Sequence, residues 1–514
     1  MRAFLLGLVP LLILTASHAA ADTYYVALDG DDNSGDGSEG QPWATIQHAT
    51  NTGIGAEEKH TILVKDGVYS GSNYLNRGFA SPVTIAAEND YRATLTNVDG
   101  GMEVIRVYVE GSTHITISGF VMTNLHPSYT CPNGRETYFL VHLQDVSDFT
   151  LENNILYGNN APGTCNEVLK INRGGEGIYP RNILIRGNVF SEPANAGGSD
   201  LIDSVRPGEV HVTDNIFFGN PASTESQSFI TIKRQAPADN PSTYRFRVQR
   251  NVFLNYSGKT DQAFLQFGED GYAEMQITNG LVENNLFIGN SAEQMAAPMQ
   301  FKGASQLTVR ANTVVGDLPS GSFGFRIGTE GDNPTMSDIT MRNSIYCDPT
   351  GSMTNRLVNV YGDVTLATLA LENNLYWNDG GALPTGGDIN PADDPAAIDA
   401  DPLLPEDQSS VTLPVWDDQT HQFASGSTTI RDEFLRLVET YGAIADSSPA
   451  IGAADSSDMP GDDIRGLARD GSPDIGAYEH GATEPATGGG GASTRRCPGS
   501  RPAPSPGCRR LAYR

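Results

Sequence analysis

Seven cationic side chains stand out by where they fall. Lys170, Arg173, Arg206, Lys233, Arg234, Lys302 and Arg326 each lie in, or just after, a short segment of alternating apolar residues. Alternation at period two turns the intervening residues to the opposite face of a strand, so these cations are expected on an outer surface. In Ile232-Lys233-Arg234 an amine and a guanidinium are adjacent. A guanidinium holds a carboxylate through two parallel bonds, and a nearby amine can take a proton from the carbon beside that carboxylate. β-Elimination on a uronic acid needs both. Lys233 and Arg234 are therefore the candidate catalytic pair, with Lys170, Arg173, Arg206, Lys302 and Arg326 as candidate substrate-binding residues. Crowding by like charges is expected to lower the Lys233 pKa and make it a better base. Asp203, Glu269 and Asp270, on or beside the same segments, allow hydrolysis by paired carboxylates instead.

The segments are FLVHLQD, EVLKINR, DLIDSVR, FITIKRQ, FLQFGED, PMQFKGA and GFRIGTE. Aligned on their alternation, pairs such as Leu169 and Ile171, or Ile230 and Ile232, point inward. One outward column then reads His142, Lys170, Asp203, Thr231, Gln266, Gln300, Arg326; the next reads Gln144, Asn172, Val205, Lys233, Gly268, Lys302, Gly328. After most of these segments comes a β-like run ending in asparagine, as in FTLENNILYGN, VHVTDNIFFGN and LVENNLFIGN. The asparagines Asn154, Asn188, Asn215, Asn251, Asn285, Asn312, Asn343 and Asn374 recur every 27 to 36 residues. No 3.6-residue periodicity accompanies them. A chain that returns to the same point at this interval, on strands too short for hairpins, predicts an all-β fold, a parallel β-helix. The asparagines are expected to stack at a tight bend, where their side chains bond the neighbouring backbone and tolerate left-handed dihedrals.

The 514 residues include 62 Asp and Glu against 33 Lys and Arg, a net charge of −29. Such an acid excess argues against a nucleic-acid partner, which would need a basic face. Residues 1–21 combine Arg2, an apolar run from Phe4 to Ala16 and Ala19-Ala20-Ala21, the pattern of a secretory signal. The mature chain is thus expected outside the cytoplasm, with no later segment apolar enough to span a bilayer. Residues 483–514 turn basic and rich in Pro and Gly, and read as a disordered tail. Between these ends, residues 61–380 are assigned to the β-helix and 381–482 to a C-terminal extension and closing segment. Cys131 and Cys165 lie in loops leading into adjacent strands, and an oxidising compartment would pair them. A monomer is expected.

The opening YYVALDGDDNSGDGSEGQPWATIQHAT, the asparagine repeats, and the closing SPAIGAADSSD, DDIRGLARDG and SPDIGAYEH resemble secreted proteins of the pectate-lyase-like superfamily. The resemblance runs over roughly residues 23–480. It implies a right-handed parallel β-helix, here of about ten coils, with residues 22–60 as a first strand and capping helix. It also implies a polysaccharide lyase that uses Lys/Arg pairs, in some members with calcium held by acids. Asp203, Glu269 and Asp270 would be the candidate ligands for such an ion. Because one fold hosts several chemistries, three readings stand side by side. The first is a lyase on a uronic-acid-containing polysaccharide. The second is a non-catalytic carbohydrate-binding or cell-surface protein, and the third a glycoside hydrolase. An enzyme predicts a groove between the loops 125–138, 191–199 and 235–244, whereas a binding module predicts exposed aromatic platforms.

Overall fold

The computed structural model describes residues 22–97, 103–124, 138–159, 166–191, 200–219, 227–237, 244–291, 293–318, 320–405 and 407–483. Residues 1–21, expected to be a signal, Cys131, Cys165 and the residues beyond 483 lie outside these, as does much of the three flanking loops.

Every repeat contributes one strand to each of three sheets, and every pairing along the stack is parallel. The first sheet holds strands such as Asn166–Asn172, Ile202–Val205, Ile230–Lys233, Ala263–Phe267, Ala297–Lys302 and Phe325–Gly328. The second holds Arg181–Arg186, Val210–Thr213, Phe246–Gln249 and their successors. The third holds the asparagine-led strands Val189–Ser191, Ile216–Phe218, Val252–Leu254 and Leu286–Gly289. Two long strands, Glu103–Ser118 and Tyr138–Glu152, run through the bend and serve both the first and second sheets. This is a parallel β-helix.

Its interior is filled by the residues that alternation turns inward: Leu169, Ile171, Ile230, Ile232, Leu265 and Phe267 are all fully buried. Equivalent phenylalanines on successive strands of the third sheet stack face to face. Phe190, Phe217, Phe253 and Phe287 have centroids 5.0, 5.1 and 4.8 Å apart, close to the spacing of the strands that carry them. The asparagines form a ladder at the bend before this sheet. Each Nδ2 donates to the next Oδ1, at 3.1 Å from Asn154 to Asn188 and 3.0 Å from Asn188 through Asn215, Asn251 and Asn285 to Asn312. Each Oδ1 also accepts the backbone N–H of the residue one rung earlier.

Two details correct the sequence reading. Asn343 is not a rung: Ser344 takes that position, accepting from the Asn312 N–H through its hydroxyl at 3.1 Å and donating its own N–H to Asn374. The left-handed dihedrals belong to the residues just before the rungs, among them Asn153, Asp214, Arg250, Asn284, Asn343 and Asn373, and not to the rungs. The rung must point its amide into the dry bend, which leaves the sharp turn to its neighbour.

The third sheet is apolar on its outer side as well, through Ile155, Val189, Ile216, Val252, Leu286 and Ile345. Chain beyond residue 400 folds back over it, including the helix Ile430–Tyr441, which the sequence reading did not anticipate. The helix starts at Thr429, whose hydroxyl accepts from the Asp432 N–H, and it aligns Ile430, Phe434, Leu437, Val438 and Tyr441 on one face. Asp462 and Asp458 then bind Arg250 and Arg310, fastening the last segment across successive turns.

Candidate active site

The outer face of the first sheet carries the expected columns in register. His142, Lys170, Asp203, Thr231, Gln266, Gln300 and Arg326 are successive partners across the sheet. Val205 pairs with Lys233, and Lys302 with Gly328. At Gly268, between Lys233 and Lys302, a Cβ would sit 1.7 Å from the Lys302 carbonyl oxygen, so only glycine fits there.

The lysines are not free cations. Lys170 binds Asp203 and lies 3.2 Å from Glu167; Lys233 binds Glu269; Lys302 lies 3.2 Å from Glu330. This reverses the expectation that crowding lowers the Lys233 pKa. Burial alone would lower it, but Asp203 and Glu269 together raise it well above the usual lysine value. Lys170 is raised in the same way, against its own burial, by Asp203 and Glu167.

Around Lys170 the carboxyls separate into two protonation states. Burial, reinforced by Asp203, pushes Glu167 up to about 8. Burial and Asp203 likewise hold Asp200 well above the ordinary carboxylate range. Burial also works against the charge on Asp203, but Lys170 and Lys233 outweigh it and keep Asp203 low. One carboxylate is therefore stabilised by two lysines, while its two neighbours hold their protons. Asp200 Oδ1 accepts from the Thr231 hydroxyl at 3.0 Å.

The arginines behave differently. Among the described residues, Arg206, Arg234 and Arg326 have no carboxylate partner. Arg206 and Arg234 adopt left-handed dihedrals at the ends of adjacent strands, and the Arg206 N–H donates to the Lys233 carbonyl at 3.0 Å. The Arg234 guanidinium lies 3.8 Å from the ring centre of Tyr272. Both arginines line a cavity of about 430 Å³ together with Tyr179, Gln235, Glu274 and Met275. Arg245, itself buried, braces one wall by donating to the Ala236 carbonyl at 2.9 Å. Arg173 lies 3.5 Å from the fully exposed Glu176 and 4.5 Å from the Tyr179 ring centre.

The seven expected cations thus do not form one positive patch: the lysines are held by carboxylates, whereas Arg206, Arg234 and Arg326 are in no ion pair among the described residues. Two of the three expected calcium ligands are engaged by lysines. Asp203 is committed to Lys170 and Glu269 to Lys233, and the described residues contain no cluster of three acidic, histidine or cysteine side chains able to hold a metal. His142 is held between Glu103, 3.2 Å from Nδ1, and Asn172, 2.7 Å from Nε2. Sequence reasoning missed Glu167, Asp200, Tyr179 and Tyr272. Glu167 and Asp200 had a usable signal: each stands three residues before a member of the outward column, as Glu103 does before Arg106.

No family model matches the chain, and no curated protein matches it. Solved structures similar to it include the pectate lyase Pel9A, at TM-score 0.48 and 15% identity, covering 90% of this chain and 97% of that one. An alginate lyase from Paenibacillus sp. str. FPU-7 has TM-score 0.34 and 13% identity, covering 56% and 91%. PfbA, a surface adhesin of Streptococcus pneumoniae, has TM-score 0.39 and 11% identity, covering 65% and 86%. Among the described residues no helix is long and apolar enough to cross a membrane.

Proposed function

We propose that the protein is a secreted lyase that cleaves a uronic-acid-containing polysaccharide by β-elimination at the outer face of its first sheet. The observation that carries this reading is the pair Arg206 and Arg234, lining one cavity with Glu274 yet in no ion pair among the described residues, in a chain of net charge −29. Acids outnumber bases almost two to one, so an unpaired guanidinium pair is best explained by an anion that arrives from outside. The two guanidiniums bind the uronate carboxylate and make the adjacent C–H more acidic. Lys233, next to Arg234, takes that proton once its amine is neutral. The electron pair forms the C=C bond, the glycosidic C–O bond breaks, and the leaving oxygen takes a proton from water or from the Lys233 ammonium just formed. Product absorbance in the ultraviolet from polygalacturonate, alginate or a glycosaminoglycan tests the reading; none from any of them, with folding intact, overturns it.

A second reading has its own support, glycoside hydrolysis. Glu167, pushed up to about 8, shares a hydrogen bond with the low-pKa Asp203, so that one carboxyl keeps its proton beside an ionised one, as acid catalysis needs. The two would have to part to about 5 Å to flank a glycosidic bond. This pair replaces the Asp203, Glu269 and Asp270 set expected from sequence. New reducing ends without ultraviolet absorbance would favour it. The two also differ in pH dependence: elimination at Lys233 gains with rising pH, whereas acid catalysis at Glu167 fades above about 8.

A further inference from the structure

Four guanidinium–tyrosine pairs follow one another along the first sheet. Arg106 lies 5.7 Å from the ring centre of Tyr108, Arg173 4.5 Å from Tyr179, Arg234 3.8 Å from Tyr272, and Arg326 4.5 Å from Tyr361. The strand registers put Arg106 and Arg326 in one column, while Arg173 and Arg234 follow it in a parallel line about 10 Å further along the strands, so that the four pairs form a two-column row. Arg106 pairs with His142, which begins the column running through Lys170 and Thr231 to Arg326. Arg173 and Arg234 each follow a member of that column by three residues. At ~4.8 Å per strand, the seven steps from Arg106 to Arg326 span about 34 Å. The cavity of Arg206 and Arg234 lies within the row, with stacked pairs on either side of it.

An arginine laid on a tyrosine is suited to an acidic sugar. The ring fixes the guanidinium plane and offers an apolar face to sugar C–H groups, while the guanidinium edge remains open to a carboxylate. Tyr108 and Tyr272 are 44% and 43% exposed, so their faces are accessible, the kind of platform also expected of a binding module. A comparable stack elsewhere, Arg465 on Tyr478, has its guanidinium bound to Asp463 and Glu439, as a structural pair should. In the row, Arg106 lies 3.7 Å from Glu103 and Arg173 3.5 Å from the exposed Glu176, whereas Arg234 and Arg326 have no such acid among the described residues. An enzyme that held only a chain end would need contacts on one side of its cavity.

We propose that this row grips an internal stretch of a polyanionic polysaccharide, so that the protein acts within chains instead of from their ends. The inference rests on the proposed function and adds its mode of action. The test is calorimetric binding of size-defined polygalacturonate and alginate oligomers, from tetrasaccharide to dodecasaccharide, with product sizes followed in parallel. For the polymer it accepts, the dodecasaccharide is expected to bind about tenfold more tightly than the tetrasaccharide. Tyr108→Ala and Arg326→Gln, at the two ends of the row, are each expected to shrink that ratio at an unchanged melting temperature. Equal affinity for both lengths, or variants with the wild-type ratio, would overturn the row while leaving the cleavage reading intact. If no oligomer binds and no polymer is cut, the proposed function falls and the row with it.

Discussion

Lys233, the proposed base, is kept protonated by its surroundings. With its pKa raised by Asp203 and Glu269, the neutral amine is scarce at neutral pH and its fraction grows as pH rises. Turnover is therefore expected to climb with pH throughout the neutral range without levelling off. Glu269→Gln removes one of the two stabilising charges, lowers the lysine pKa and should move the profile to lower pH. Initial rates over a pH series check this; a Glu269→Gln profile that overlays wild type would take Lys233 out of proton transfer. Arg206→Ala and Arg234→Ala act on binding and on the transition state together, so each should raise KM and lower kcat. Glu167 supplies a stability prediction with a definite sign. Its pKa rises from 4.5 to about 8 on folding, so the native state binds more protons across that window. Stability from this group is complete below about 4.5 and is lost as pH rises through about 8. Asp200, also raised, adds in the same direction. Urea midpoints should fall over the window, and less steeply in Glu167→Gln; an equal slope in both proteins would contradict the assignment.

At the scale of the repeat, the asparagine ladder is the most demanding element. Asn251 Oδ1 accepts both the backbone N–H and the side-chain amide of Asn215, and its own amide reaches the carbonyls of Val212 and Gln249. Counting the bond from that amide to Asn285 Oδ1, Asn251→Ala removes five bonds inside a dry bend, so a loss of at least about 2 kcal/mol is expected by chemical denaturation. The ladder also marks how far the sequence could be read. Alternation told inward from outward residues because a strand has only two faces, and the Lys170, Asp203, Thr231 column follows directly. The slip at Asn343 arose because Arg342-Asn343-Ser344 offers two small polar side chains, and a hydroxyl can substitute for an amide as acceptor. What alternation cannot give is partnership between columns. Lys233 meets Glu269 from a turn, and Glu167 meets Asp203 across strands, so the neutralisation of the lysines was invisible. The helix Ile430–Tyr441 did carry a signal, Thr429-Ile430-Arg431-Asp432 before an apolar stripe, which the β-rich context obscured.

The molecule as a whole is a stack of near-identical turns, which in isolation would melt from its ends inward. The chain after residue 400 changes that, since one continuous segment packs on strands from Ile155 to Leu375. Unfolding of residues 22–483 is expected to be a single transition. Phe434→Ala, emptying a site 1% exposed, should cost about 3–5 kcal/mol and lower that transition without splitting it. Two resolved steps in calorimetry of the variant would show that the covering segment is not integral to the cylinder.

Order of synthesis gives the covering segment a second significance. The third sheet's outer side, from Ile155 onward, emerges greasy and stays so until the helix Ile430–Tyr441 has been made. Until then the nascent cylinder has no lid for that stripe, and coils that form early gain only part of their final burial. For the secreted protein proposed above, this delay would leave the chain loose enough to pass through an export channel, with closure waiting for the helix Ile430–Tyr441 on the far side.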